Sequence, residues 1–200
     1  MNAGVTSERV YDALKARLLG GGIRPGERLE PGVFAELLTS SVTPVRDALH
    51  RLAGEHIVEM RTAEGFQLPL VTEPGLRDLV LWNGDLLRLA LRRWPEGRTS
   101  QEDIPTTGDY ARDLRALFGA IAGRSGQSEL ARQIDAASDR LTPARIAESR
   151  VVSDSDRELA AIADAIASGE ARRVAQHIAA YHRHRAAIIS AIVEAMYRGR

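Results

Sequence analysis

The stretch that decides the fold runs from residue 39 to residue 52: Thr39-Ser40-Ser41-Val42-Thr43-Pro44-Val45-Arg46-Asp47-Ala48-Leu49-His50-Arg51-Leu52. Val45, Ala48, Leu49 and Leu52 recur at i, i+3, i+4 and i+7, the stripe of a helix packed on a core. Thr43, Arg46, Asp47 and His50 recur at the same spacing on the opposite side. Thr43 is a candidate cap, and Pro44 suits a first turn because its missing N–H would go unpaired there anyway. Upstream, Pro31 opens a second short helix carrying Val33, Phe34, Leu37 and Leu38, which Thr39-Ser40-Ser41 ends after two turns. Before that, Val10, Leu14 and Leu18 mark a helix over about 7–19, with Ser7 as its cap and Gly20-Gly21-Gly22 as its stop.

Downstream the period changes. Val58 and Met60 precede a tight Ala63-Glu64-Gly65 turn, and Phe66, Leu68 and Leu70 then alternate with Gln67 and Pro69. A period of two is that of a strand with one face buried, so the pair reads as a hairpin. Residues 1–72 therefore read as a winged helix-turn-helix domain with a short β-hairpin wing.

Such a module serves major-groove reading. Its recognition helix buries one stripe and offers the other to base edges and phosphates. Arg46 has the planar fork that matches guanine O6 and N7. Thr43, Ser40 and Ser41 are short donors near a helix N-terminus, suited to phosphate oxygens. His50 lies on the same face, where packing competes with a DNA role. Gly65 at the hairpin tip lets a wing approach a groove closely.

Composition bounds the rest. The chain has 200 residues, with Lys+Arg 27 and Asp+Glu 27, so its formal net charge is zero. That excludes a histone-like binder acting by bulk charge. Residues 1–75 hold 8 basic and 10 acidic residues, net −2, so any basic surface must be local. There is no cysteine, which removes disulfides, thiolate metal sites and cysteine nucleophiles. The longest apolar run is five residues, 159–163, where a membrane span needs about 20. The N-terminus has no secretory h-region, and a cytoplasmic protein without membrane contact is expected. No nucleophile elbow, phosphate loop or zincin motif points to an enzyme.

Val71-Thr72-Glu73-Pro74-Gly75 has linker composition, so residues 73–78 are expected to connect the wing to a helical bundle over 79–200. Helical periods predict helices over about 76–94, 109–124, 128–141, 143–151, 155–167 and 170–197, with a polar loop over 95–108. His177, Tyr181 and His184 fall at i, i+4 and i+7 on one face, and His182 points elsewhere. Trp82 and Trp94 read as core or dimer contacts.

The stretch Ile23-Arg24-Pro25-Gly26-Glu27-Arg28-Leu29, then Ala35-Glu36-Leu37-Leu38, then Thr43-Pro44-Val45-Arg46-Asp47-Ala48-Leu49-His50-Arg51-Leu52 resembles the GntR family of bacterial transcriptional regulators. The resemblance implies that Thr43 contacts phosphate and Arg46 reads bases. Two departures lower the positive charge at the implied interface. Val42 stands where the family commonly has an arginine, and Glu64 stands before the wing glycine where a basic residue is common.

The helical part resembles the FCD subfamily, named for its FadR-like C-terminal domain. It does so through Phe118, Ser125-Gly126-Gln127, Glu158 to Ile166 with Gly169-Glu170, and Val174-Ala175-Gln176-His177-Ile178. That subfamily implies a dimer whose bundle binds small acids, often with a metal held by one Asp and three His. Those positions fall on Arg115, Gly119, Leu159 and His177. One ligand does not hold a metal, so neither metal nor cofactor is expected. Arg115 instead offers a fork for a carboxylate, with His177, Tyr181 and His184 as further candidate ligand contacts.

The expected protein is a ligand-responsive transcriptional regulator: a homodimer on operator DNA, repressor or activator, with a small metabolite as effector, carboxylates among the candidates. The alternative is a sensor or interaction protein descended from such a regulator, with weakened DNA binding.

Overall fold

The computed structural model describes residues 3–62, 65–95 and 107–198, with side chains from residue 7 onward. The expected turn residues Ala63 and Glu64, and positions 96–106 of the expected polar loop, lie outside the described residues. The chain divides into two compact units, residues 1–71 and residues 72–198.

In the first unit, α1 (Ala3–Leu19) begins four residues before the expected cap, so Ser7 lies inside the helix. Val10, Tyr11, Leu14 and Leu18 are buried along one side of it. Gly26 adopts φ 82 in the turn that follows, and its N–H donates to Leu68 O. That bond brings β1 (Arg28–Leu29) against the later hairpin. A two-residue strand has no period to read, so β1 was illegible in the sequence.

Helix α2 (Pro31–Leu37) buries Phe34 and Ala35 but leaves Val33 54% and Leu37 61% exposed. The expected four-residue apolar side is corrected to Phe34 with half-buried Leu38. A helix of two turns has room for one contact stripe, and Phe34 occupies it.

Thr39 turns the chain at φ 48, and Ser41, not Thr43, takes the N-cap position of α3 (Val42–Gly54). The expected stripe Val45, Ala48, Leu49 and Leu52 is buried to 4% exposure or less. Strands β2 (Glu59–Arg61) and β3 (Gly65–Gln67) complete an antiparallel sheet of order β1-β3-β2, with Met60 opposite Phe66. Gln67, expected to face solvent, is buried with its amide donating to Glu59 at 3.2 Å. Leu70, expected inward, lies beyond the strand and is exposed.

The second unit is all helical. Residues 73–78, expected as linker, are instead the first turns of α4 (Glu73–Leu91), because Thr72 Oγ1 accepts from Gly75 N and Pro74 sits in the first turn. Helix α5 (Tyr110–Arg124) is capped by Asp109, whose side chain accepts from Arg112 N. The two helices expected over 128–141 and 143–151 are one, α6 (Ser128–Val151), with Pro143 inside it. Proline removes one backbone hydrogen bond, but Leu141 and Ala144 on either side are both buried, and the helix continues through it. Helix α7 (Ser155–Ser168) ends at Gly169, whose φ of 74 suits the αL stop.

The single helix expected over 170–197 is two, α8 (Ala171–Ala187) and α9 (Ile189–Tyr197). They part at Ile188, whose N–H is shared between His184 O and Arg185 O. Helix α5 packs on α6, α4 on α8, and α7 on both α5 and α8. Phe118, Ile121, Ile134, Ile162, Ile166 and Tyr181 sit at the centre. Trp94 is buried and its Nε1 donates to Gly169 O at 2.8 Å, while Trp82 is 47% exposed.

Candidate functional site

Two places carry chemistry, one in each unit. In the first, the outer face of α3 carries Thr43, Arg46, Asp47 and His50, all exposed, preceded by exposed Ser41 and half-buried Ser40. The periodicity that buries Val45 and Leu49 is what turns these four outward. Ser41 makes no side-chain cap bond to its own helix, so its hydroxyl is not spent there. His50 meets the ring of Phe66 edge-on at 4.9 Å, which fixes β3 against α3. Gly65 is exposed at φ 75, with open space where a Cβ would stand. Glu64 lies outside the described residues.

The cations around this face differ in how they are held. Arg51 is paired with Glu8 at 2.9 Å and stacks 3.6 Å above the Tyr11 ring. Lys15 is paired with Glu55 and Arg28 with Glu30. Arg46 makes no ion pair among the described residues and faces solvent. Val42 is 40% exposed at the start of the same helix, an apolar side chain on an otherwise polar face.

In the second unit the structure redistributes the expected residues. Arg115 is held by Asp139, Nε to Oδ1 at 2.6 Å, with Asp135 at 3.8 Å, so its fork is engaged. His177 is half-buried. Tyr181 is buried and its hydroxyl donates to Glu148 at 3.1 Å. The expected histidine face is corrected: His184 is exposed, and His182, read as pointing elsewhere, is 6% exposed. The core stripe of α8 runs Val174, Ile178, Tyr181, Arg185, and His182 lies beside Ile178 on it. Among the described residues, no group of three or more His, Cys, Asp or Glu gathers as a metal site.

Sequence reasoning missed a buried polar cluster. Arg185, fully buried, donates from Nε to Glu148 Oε2 at 3.0 Å, from Nη2 to Tyr110 at 2.6 Å, and to Glu158. The Tyr110 hydroxyl in turn donates to Glu148 Oε2 at 3.2 Å. Burial pushes the Tyr110 and Tyr181 hydroxyls well up, with the Glu148 charge adding to it, so both stay protonated donors. His182 donates from Nδ1 to Ile178 O at 2.7 Å, and its Nε2 lies 3.1 Å from the Asn83 amide. Burial holds its pKa down to about 4, assisted by the charges of Arg145 and Arg185. The ring is therefore neutral near pH 7, with its Nδ1–H on Ile178 O and its Nε2 3.1 Å from Asn83 Oδ1. Glu148 on α6 and Arg185 on α8 occupy positions where the helical period calls for apolar residues, a pattern that by itself does not distinguish a buried pair from charges turned to water.

A winged helix followed by an all-helical bundle is the class of architecture defined by these two units. Residues 6–68 match the family model described as bacterial regulatory proteins, gntR family. The HTH-type transcriptional regulator McbR of Escherichia coli strain K12 is 33% identical over 94 residues, which are 47% of this chain and 42% of that protein. The chain thus matches less than half the length of that relative. Over most of the chain the fold is that of solved regulators. E. coli McbR/YncC superposes with a TM-score of 0.70 at 20% identity, over 92% of this chain and 97% of that one. A putative transcriptional regulator GntR from Rhodococcus sp. RHA1 superposes with a TM-score of 0.77 at 16% identity, with the same coverage of each chain. No helix among the described residues is long and apolar enough to cross a membrane.

Proposed function

We propose that this chain is a ligand-responsive transcriptional regulator that binds operator DNA as a homodimer through α3 and the wing. The observation that carries the reading is the outer face of α3, where Thr43 and unpaired Arg46 stand exposed beside a wing fixed by the His50–Phe66 contact. In this reading Thr43, Ser41 and Ser40 serve phosphates, Arg46 reads a base edge, His50 braces the wing and Gly65 allows it into the minor groove. The dimer is supported by the outward face of α4, where Leu81, Trp82 and Leu89 are 45–49% exposed. The helical unit is the sensing unit, of FCD type with altered metal positions. Its effector site is centred away from Arg115, Tyr181 and His184, since Asp139 and Glu148 already engage the first two and the third faces solvent.

Titrating labelled DNA from upstream of the chain's own gene tests this. Arg46→Ala is expected to lose about 1–3 kcal/mol, roughly 10- to 100-fold in affinity, at a preferred base pair. Unchanged affinity in that variant, or no specific complex at any salt concentration, overturns the reading.

One observation favours the second reading, a sensor or interaction protein with weakened DNA binding. The recognition face carries Asp47 and apolar Val42 in a segment of net charge −2, and phosphate neutralisation supplies much of DNA affinity. A stable dimer without any DNA complex would select it.

A further inference from the structure

We propose that Val42 is a specificity-determining residue of α3, which reads the 5-methyl group of a thymine in the major groove beside the base contacted by Arg46. This inference rests on the DNA-binding reading above and deepens it by naming a base. Val42 is the first residue of α3 and is 40% exposed. The other large apolar side chains of the helix, Val45, Leu49 and Leu52, are all 0% exposed. Around Val42 the surface is polar: Ser41 precedes it, Thr43 follows it, and Arg46 stands one turn further on, all three exposed. A lone exposed valine elsewhere on a protein surface needs no partner. This one stands at the N-terminal end of the helix whose first turns meet base edges.

The chemistry of the side chain then limits what it can read. Valine has no donor and no acceptor, so it serves neither a phosphate oxygen nor a polar base edge. The major groove offers such a side chain one partner, since thymine alone among the four bases carries a methyl group there. Val42 is β-branched and has one strongly preferred rotamer in a helix, so its two methyl groups are already fixed in direction. The polar work is left to its neighbours. Ser41 makes no side-chain bond to the helix it caps, and Thr43 is exposed beside it, so both hydroxyls can serve phosphates on either side of the thymine.

Helix geometry sets the register. Val42 and Arg46 are four residues apart, about 40° around the helix axis and roughly 6 Å along it. Successive bases on one strand are about 3.4 Å apart. The thymine therefore lies within about two base pairs of the guanine that suits Arg46.

The test uses the full chain and a duplex site that it selects from random-sequence DNA. Each thymine of that site is replaced in turn by deoxyuridine, which removes the methyl group and keeps the base pairing. The wild type should lose about fourfold in affinity at one thymine of each half-site, the worth of one methyl group taken from water. That thymine should neighbour the base pair at which Arg46→Ala loses its preference. Val42→Ala removes both γ-methyl groups from an exposed position and improves helix propensity, so it should fold. It should bind the thymine and deoxyuridine sites equally.

A selected site at which no such exchange weakens the wild type overturns the inference, as does a loss that Val42→Ala shows to the same degree. Either result leaves the DNA-binding reading standing, because a specific complex has formed. If the chain selects no site at any salt concentration, that reading falls and this inference falls with it.

Discussion

Arg185 is the most demanding residue in the molecule, since its guanidinium is fully buried and permanently charged. Two tyrosine hydroxyls and two carboxylates surround the interaction and give nearly every polar atom a partner. His182, on the same helix, meets burial the opposite way, by losing its proton. Its folded pKa of about 4 lies below the unfolded value of about 6.5, so between these limits the unfolded chain binds more protons. The stability it contributes is present above about pH 6.5 and is lost as pH falls toward 4, a loss on the order of 3 kcal/mol. Circular-dichroism melts across that range should show the fall, and His182→Asn should flatten it. Equal pH dependence in the two proteins would refute the assignment to His182. Neither residue's burial was legible beforehand, because His177 and His184 satisfy the helical spacing as well as His182 does. Only the packing of α8 against α4 chose between them.

At the scale of elements, α4 and α8 approach closely where Gly84 faces His182. A Cβ built on Gly84 lies 3.0 Å from the ring carbons Cγ and Cδ2. That ring is tied at both nitrogens, to Ile178 and Asn83, so it has little freedom to retreat. Gly84→Ala gains about 1 kcal/mol of helix propensity and loses about 1–3 kcal/mol to overpacking. The balance should be a net loss near 1 kcal/mol, a Tm lower by about 2–4 °C. A melt showing a raised Tm would mean that the helices separate without cost. Elements with long apolar periods, α3 and α5 above all, could be read directly from sequence. The merger of two expected helices into α6 and the split at Ile188 could not. Local rules weigh Pro143 as a break and see nothing at Ile188, while packing on both flanks decides each case.

For the whole molecule, the proposed dimer makes the outward face of α4 the place to look. Leu81, Trp82 and Leu89 share it with Asp78 and Asp85, within one hundred-degree arc set by the helical period. Trp82→Glu should convert a dimer into a monomer in sedimentation experiments while leaving helical content unchanged. A dimeric variant, or a monomeric wild type, would place the interface elsewhere or remove it.

What the sequence determined by itself is the winged-helix unit and the outward face of its third helix. Its signal is local: a buried stripe and an exposed stripe on one helix, a proline-opened turn, and a two-residue period in the wing. Residues that meet solvent on one face and a core on the other declare both in their spacing. The tertiary structure alone decided the interior of the helical unit, where Glu148, Arg145 and Arg185 occupy core positions. The burial of Glu148 and Arg185 depends on partners 33 to 75 residues away, such as Tyr181 for Glu148 and Tyr110 for Arg185. No helical period records such distant pairings, because a charged residue on an apolar stripe looks the same whether it is paired, unpaired or turned to water.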